Sequence, residues 1–220
     1  MKNYKLIKLI TPEKCNELIS TLQTSTEWQE GAKSTHALLQ PIKHNHELNV
    51  CELFHEVADK TIPSLLQNKV VYEFTLLSRF ITMLISKTGV GGGYGGHYDS
   101  PFMLDAELNR PERSDYSCTI FLNDDFEGGN LIIEGQTVKP KQGYVCIYPS
   151  TMYHQVTKVL TNERYAIVGW MQSQIQDPQI REAIKLLTFI QNKLDKETDF
   201  YSTHYRNLQK VSQILWTKFL

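Results

Sequence analysis

Four side chains in the 220-residue chain have the types and spacing for chemistry at a metal ion: His97 and Asp99 in "GGGYGGHYD", His154 in "YPSTMYHQV", and Arg164 in "ERYAIVGWMQ". In a strand, residues i and i+2 point to one face, so His97 and Asp99 can aim at one point. An oxygen-activating Fe(II) site uses two imidazoles and one carboxylate on one face of an octahedron and leaves the other positions open. His154 begins a late strand directly after a turn, a natural place for the second imidazole. Arg164 shares a strand face with Ala166, Val168 and Trp170. An inward-pointing arginine among small and apolar residues needs an anion, and its planar fork matches a carboxylate. That anion is either a protein acid or a dicarboxylate cosubstrate.

The same stretch competes with this reading. Gly91, Gly93 and Gly96 spell G-x-G-x-x-G, the dinucleotide fingerprint. Its physics requires a helix directly after the glycines, whose N-terminal amides hold a pyrophosphate. Here the glycines run into "HYDSPFMLDAELNRPERSD", with Pro101 and Pro111 and no amphipathic helix, and no Lys-Ser/Thr pair follows them for a Walker site. The glycines are expected instead to form a hinge or substrate-side loop leading into the metal site, where their permissive backbone lets a ligand approach.

The elements that must position these residues follow from periodicity. "TPEKCNELISTLQ" predicts a helix capped by Thr11 with Pro12 in its first turn, and a second helix runs from about Asn49 through "VCELFHEVADK". "STHALLQPIKHNHEL" between them predicts no clear element. From Val70 the texture turns aromatic and β-branched: "VVYEFTLLSRFITMLIS", "YSCTIFLND", "GNLIIEG", "GYVCIYPS", "HQVTKVL" and "RYAIVGWMQ" read as strands separated by turn residues. With no helical crossovers, the sheet is expected to be mainly antiparallel, as a sandwich or open barrel. "DPQIREAIKLLTFIQNKLD" and "YSTHYRNLQKVSQILWTKFL" return to a helical period, with Ile180, Ala183, Ile184, Leu187 and Leu194 on one stripe and Tyr201, Tyr205, Leu208 and Leu215 on another. They predict a helical pair packed on the β core.

A formal charge of −1 gives no electrostatic case for nucleic acid, and 41% apolar with 21% charged residues is ordinary for a globular chain. No apolar run is long enough for a membrane span and the lysine-punctuated N-terminus has no signal-peptide core. Cys15, Cys51, Cys118 and Cys146 are scattered without a C-x-x-C, as expected of reduced thiols in a cytoplasmic protein. His36, His44, His46 and His55 match no ligand spacing and are read as structural. Arg113 and Asp115 are read as a surface ion pair, Tyr94 and Trp170 as packing aromatics that could border a pocket, and Ser100 to Glu112 as a lid or entrance loop.

Taken in order, "YGGHYDSPFM", "RSDYSCTIFLND", "FEGGNLIIEG", "VCIYPSTMYHQVTKV" and "ERYAIVGWMQSQIQD" resemble the bacterial PKHD-type hydroxylases, relatives of the prolyl 4-hydroxylases among the Fe(II)/2-oxoglutarate-dependent dioxygenases. Weaker echoes at "EWQEGAKS" and "YRNLQKV" extend the similarity over nearly the whole chain. The resemblance implies a double-stranded β-helix, the jelly-roll or cupin-like type. Its β core would span residues 78–174, with N-terminal helices and a supporting strand over 1–77 and a C-terminal helical extension over 175–220. It implies that His97, Asp99 and His154 bind iron and that Arg164 binds the distal carboxylate of 2-oxoglutarate. Where animal prolyl hydroxylases tend to have Tyr-Leu-Asn, this chain has Phe121-Leu122-Asn123, so a cosubstrate-binding hydroxyl must come from elsewhere. Tyr148 is the candidate, with a role in core packing as its alternative.

The implied reaction consumes 2-oxoglutarate and dioxygen, releases succinate and CO2 and hydroxylates an unactivated C–H, with L-ascorbate as a supporting reductant. The implied substrate is a prolyl or lysyl side chain or a related amino acid. A small metabolite linked to iron uptake is the alternative, as is a non-catalytic metal or dicarboxylate sensor on the same scaffold. The apolar C-terminal helices could serve a homodimer as easily as the core.

Overall fold

The computed structural model of the protein describes residues 4–105, 108–194 and 203–219. The first part of the chain contributes β1 (Lys5–Lys8), α1 (Pro12–Thr24), β2 (Trp28–Glu30), two 3-10 turns (Gly31–Ser34 and Gln40–Ile42), β3 (Lys43–His44), β4 (His46–Leu48), α2 (Glu52–Leu66) and α3 (Lys69–Thr75). Strands follow: β5 (Leu77–Thr88), β6 (Gly93–His97), β7 (Phe102–Asp105), β8 (Arg110–Arg113), β9 (Tyr116–Phe121), β10 (Glu127–Gly128), β11 (Leu131–Ile133) and β12 (Gln136–Val138). The last strands are β13 (Tyr144–Pro149), β14 (His154–Val156), β15 (Val159–Thr161) and β16 (Arg164–Ser173), before α4 (Pro178–Leu194) and α5 (Thr203–Phe219).

Two antiparallel sheets carry the molecule. A seven-stranded sheet has the order β1-β13-β9-β16-β5-β4-β2, and a five-stranded sheet has the order β12-β11-β14-β6-β3. Together they form the jelly roll that the resemblance implied, with the antiparallel pairing expected from the strand pattern. The strand β9 is buried along its whole length because both its faces are covered. Tyr116, Cys118 and Ile120 join the apolar cluster that also holds Cys15, Leu18 and Leu22 of α1 and Val57 and Leu65 of α2. Phe121 joins a second cluster with Leu131, Ile133, Val138, Cys146 and Tyr148, residues drawn from both sheets. The large sheet thus rests on helices on one side and encloses the site on the other. Burial pushes the thiols of Cys118 and Cys146 above the usual range, to about 12 in the case of Cys118, and all four cysteines are free.

The capped first helix is as expected: Thr11 Oγ1 accepts from Lys14 N at 3.3 Å, and Pro12 stands in the first turn. Four other expectations need correction. Val70 to Thr75 is the helix α3, because Asn68 Oδ1 accepts from the amides of Val70 and Val71 and starts a turn that β-branched content alone argues against. Leu76 then ends it in a left-handed conformation (φ 50°), and the strand begins only at Leu77. "STHALLQPIKHNHEL" resolves into 3-10 turns and the short strands β3 and β4, which join the sheets at positions too brief to show periodicity.

The glycine run begins in a turn at Gly91 and from Gly93 on is the strand β6, hydrogen-bonded between β14 and β3. Only Gly91 within it needs positive φ (81°); at Gly96 a β-carbon would collide with the Tyr153 hydroxyl. Close packing, more than flexibility, accounts for the composition. The entrance segment is the hairpin β7–β8, with residues 106 and 107 outside the described range. Arg79 reaches over to Asp105 at 2.9 Å and ties the hairpin to β5.

The helical pair packs as expected. Asp177 Oδ1 accepts from the amides of Gln179 and Ile180, capping α4 ahead of Pro178. Ile184 is buried with Leu76 and Ile175, and Leu215, Trp216 and Phe219 of α5 close over them. Tyr205 is buried, while Tyr201 lies outside the described residues. Asp115 provides the anchor, which corrects its reading as half of a surface pair. Only 7% exposed, it takes Arg113 at 2.9 Å, Arg181 of α4 at 2.7 Å and the amide of Ser173.

Candidate active site

The strand β6 ends at His97 and β14 begins at His154, and antiparallel register sets these two residues directly opposite each other. Their rings lie 4.3 Å apart between centroids. Each Nδ1 is within hydrogen-bond distance of a carbonyl two residues back, Gly95 O at 2.8 Å and Met152 O at 3.0 Å. A carbonyl accepts only, so each Nδ1 carries the proton and each Nε2 presents a lone pair. Both Nε2 atoms face Asp99, at 3.8 Å from Oδ1 for His97 and 3.7 Å from Oδ2 for His154. The ligand atoms of the three residues all lie within 4.8 Å of one another.

Asp99 stands just beyond the end of β6, so strand parity is not what aims it. Ser117 on β9 does so, donating its hydroxyl proton to Asp99 Oδ2. Ser117 Oγ also lies 2.9 Å from Ser150 Oγ, and Ser150 in turn lies 2.8 Å from Ser114. Burial, reinforced by the neighbouring His154, pushes His97 down to about 4, so it stays neutral and able to ligate through the physiological range.

Arg164, the first residue of β16, is 2% exposed. Its Nε donates to Gly129 O at 3.1 Å, its Nη2 has no hydrogen-bond partner, and no acid pairs with it among the described residues. Burial lowers it to about 10, with Tyr148 acting the other way. Of the two anions left open by the sequence, a protein acid is not found beside it among the described residues. A buried guanidinium without a counter-charge is costly, and a carboxylate arriving from outside removes that cost. Tyr148 is fully buried and its phenol is pushed well above its ordinary value by burial, with Asp99 adding to the effect. It is therefore a neutral O–H, with its ring 5.0 Å from that of His154.

All five expected residues line one cavity of about 270 Å³. Tyr94, stacked on His97 at 3.8 Å, and Trp170 line it too, and His36 sits at its wall. His44, His46 and His55 do not. Sequence reasoning missed Ser117, Thr119, Lys43 and Glu47. Ser117 and Thr119 lie on the cavity side of β9 by parity with Phe121, so the alternation in "YSCTIF" carried a signal for them. Lys43 and Glu47 carried none.

The family model described as the 2OG-Fe(II) oxygenase superfamily matches residues 83–172, the span that holds the triad and Arg164. A PKHD-type hydroxylase from Picosynechococcus sp. (strain ATCC 27264 / PCC 7002 / PR-6) is 31% identical over 221 residues, covering 94% of this chain and 98% of its own. The chain belongs to the PKHD-type hydroxylases. A second relative of that name, from Prochlorococcus marinus (strain NATL1A), is 33% identical over 81% of each chain. A Pseudomonas putida prolyl-4-hydroxylase shares the fold with a TM-score of 0.55 at 17% identity, over 78% of this chain and 92% of its own. A Trichoplax adhaerens prolyl hydroxylase, crystallised with a hypoxia inducible factor peptide fragment, gives 0.56 at 16% identity, over 79% and 85%. As a PKHD-type hydroxylase the protein is a 2-oxoglutarate- and iron-dependent dioxygenase. Its two imidazole nitrogens and one carboxylate are the donor set that such iron requires. Among the described residues no helix is long and apolar enough to cross a membrane.

Proposed function

We propose that His97, Asp99 and His154 hold the Fe(II), that Arg164 and Tyr148 anchor 2-oxoglutarate, and that a prolyl, lysyl or related amino-acid side chain is hydroxylated. The observation that carries this reading is that two Nε2 lone pairs and a carboxylate share one cavity with a buried guanidinium whose Nη2 is unpartnered. With both groups bound, dioxygen converts 2-oxoglutarate to succinate and CO2 and a substrate C–H to C–OH, with ascorbate as supporting reductant.

The chain's own residues supply orientation. The Gly95 and Met152 carbonyls hold both imidazoles in the ligating tautomer. Arg164 offers a charged fork to the distal carboxylate, and the Tyr148 hydroxyl offers a neutral donor beside it. Leu84, Leu131, Val156 and Val168 surround them with apolar surface that keeps water from competing. A cavity of about 270 Å³ is small enough that one side chain fits beside the cosubstrate. Tyr98, 60% exposed at the wall, offers a surface for whatever bears that side chain. The prolyl hydroxylases with this fold support the amino-acid assignment.

The test is succinate release by the Fe(II)-loaded enzyme across prolyl and lysyl peptides, with mass spectrometry for one added oxygen atom. Stimulation by such peptides is expected; stimulation only by free metabolites would overturn the substrate assignment. Ser117→Ala should weaken Mn(II) binding by about 10- to 100-fold in equilibrium titration, because Asp99 loses the hydrogen bond that aims it. Unchanged affinity would show that Asp99 needs no such support.

A further inference from the structure

Beyond the triad, the cavity has a second polar end. Lys43 and Glu47 form an ion pair at 2.6 Å with side chains only 6% and 2% exposed, and both line the cavity. They join its two walls. Lys43 lies opposite Tyr94 on the small sheet, while Glu47 lies opposite Ser86 on the large one. Ser86 in turn faces Ala166, the next inward residue after Arg164. Two strand spacings of about 4.8 Å place Glu47 roughly 10 Å to the side of the Arg164 strand.

A row of rings marks the distance across the other wall. Tyr94, His97, His154 and Tyr148 follow one another at centroid separations of 3.8, 4.3 and 5.0 Å. Lys43 sits at the Tyr94 end, 5.2 Å from that ring. The triad therefore stands between a cosubstrate end at Arg164 and Tyr148 and a second end at Lys43 and Glu47.

Two buried acceptors of this second end lack a donor. Lys43 uses its donors on Glu47 Oε1, on Ser34 Oγ at 2.8 Å and toward the Tyr94 ring. Asn45 Nδ2 donates to Ser86 Oγ at 2.8 Å, while its Oδ1 is buried without a partner. Glu47 Oε2 is likewise buried with no partner, and it is the one of the two that belongs to a carboxylate. A buried carboxylate oxygen without a donor is costly, so this end calls for one. Lys43 already neutralises Glu47, so an entering cation would lose its hydration without gaining a net counter-charge.

We propose that Glu47 Oε2 is the specificity-determining acceptor for the substrate, taking a neutral carboxamide-type N–H and not an ammonium group. This rests on the reading that metal and 2-oxoglutarate occupy the other end. Leu39 and Leu84 beside it receive the apolar part of the ligand.

The test uses three six-carbon probes, hexanamide, N,N-dimethylhexanamide and hexylammonium, on enzyme loaded with Zn(II) and 2-oxoglutarate, with binding followed by saturation-transfer NMR. Hexanamide should bind about 10-fold or more tighter than the other two. Glu47→Gln should remove that preference: its amide oxygen turns to Lys43 and its NH2 takes the place of the acceptor. Metal-dependent 2-oxoglutarate binding, measured in the same samples, should be unchanged by the substitution and reports separately on the proposed function. Equal binding of the dimethylamide, preference for hexylammonium, or no binding of hexanamide would each overturn the assignment. The wild-type comparison decides it even where Glu47→Gln fails to fold.

Discussion

Asp99→Ala should lower succinate formation from 2-oxoglutarate by more than about 100-fold while leaving the fold intact. Asp99 is the only carboxylate in the described His-Asp-His cluster, and its removal leaves two neutral imidazoles to hold a divalent ion. The loss should exceed that expected for Ser117→Ala, which removes only the group that aims the ligand. Stability should change little. Asp99 lies outside the regular strand, and its strongest contact is the Ser117 hydroxyl, which can turn to another acceptor. Circular dichroism and thermal unfolding of the metal-free protein check this half, and anaerobic loading with Fe(II) followed by a succinate assay checks the other. Turnover equal to wild type would take Asp99 out of the ligand set.

Arg164→Met should act in opposite directions on cosubstrate binding and on stability. Among the described residues no acid pairs with the buried guanidinium and its Nη2 is unpartnered, so the protein bears the cost of desolvating a cation. Methionine has similar reach and no charge, and the metal-free protein should be as stable as wild type or more so in urea unfolding. Affinity for 2-oxoglutarate should fall by roughly 2–5 kcal/mol, the range for truncating one partner of a buried charged pair. Calorimetric titration with Zn(II) present measures it. Arg164→Lys should lie between the two, because an ammonium retains the charge without the planar fork. Retained affinity in the methionine variant would remove the assigned role, and marked destabilisation would show that the Gly129 contact matters more than the missing counter-ion.

The residues of the site differ in how visible they are before folding. His97, Asp99, His154 and Arg164 stand out because their chemistry is uncommon in the positions they occupy: a histidine directly after a turn and an arginine on a strand face of small and apolar residues. Ser117 was half legible, since alternation places it on the cavity side of β9 but says nothing of what it meets there. Glu47 was not legible at all. It occupies a three-residue strand, and three residues cannot display a period. Asp115 was misread for a related reason: an Arg-x-Asp pair looks like surface chemistry until α4 brings Arg181 onto it from 66 residues away.

By itself, the sequence determined the mainly antiparallel β class of the fold and singled out the groups proposed here to bind a metal and a dicarboxylate. These depend on local alternation and on residue type, both of which are read along the chain. Tertiary structure alone decided that β3 and β4 complete the two sheets, that a buried ion pair joins their walls, and that among the described residues no acid pairs with Arg164. Each of these depends on which distant segments meet. A polar atom without a partner becomes visible only when every neighbour it could have had is in place.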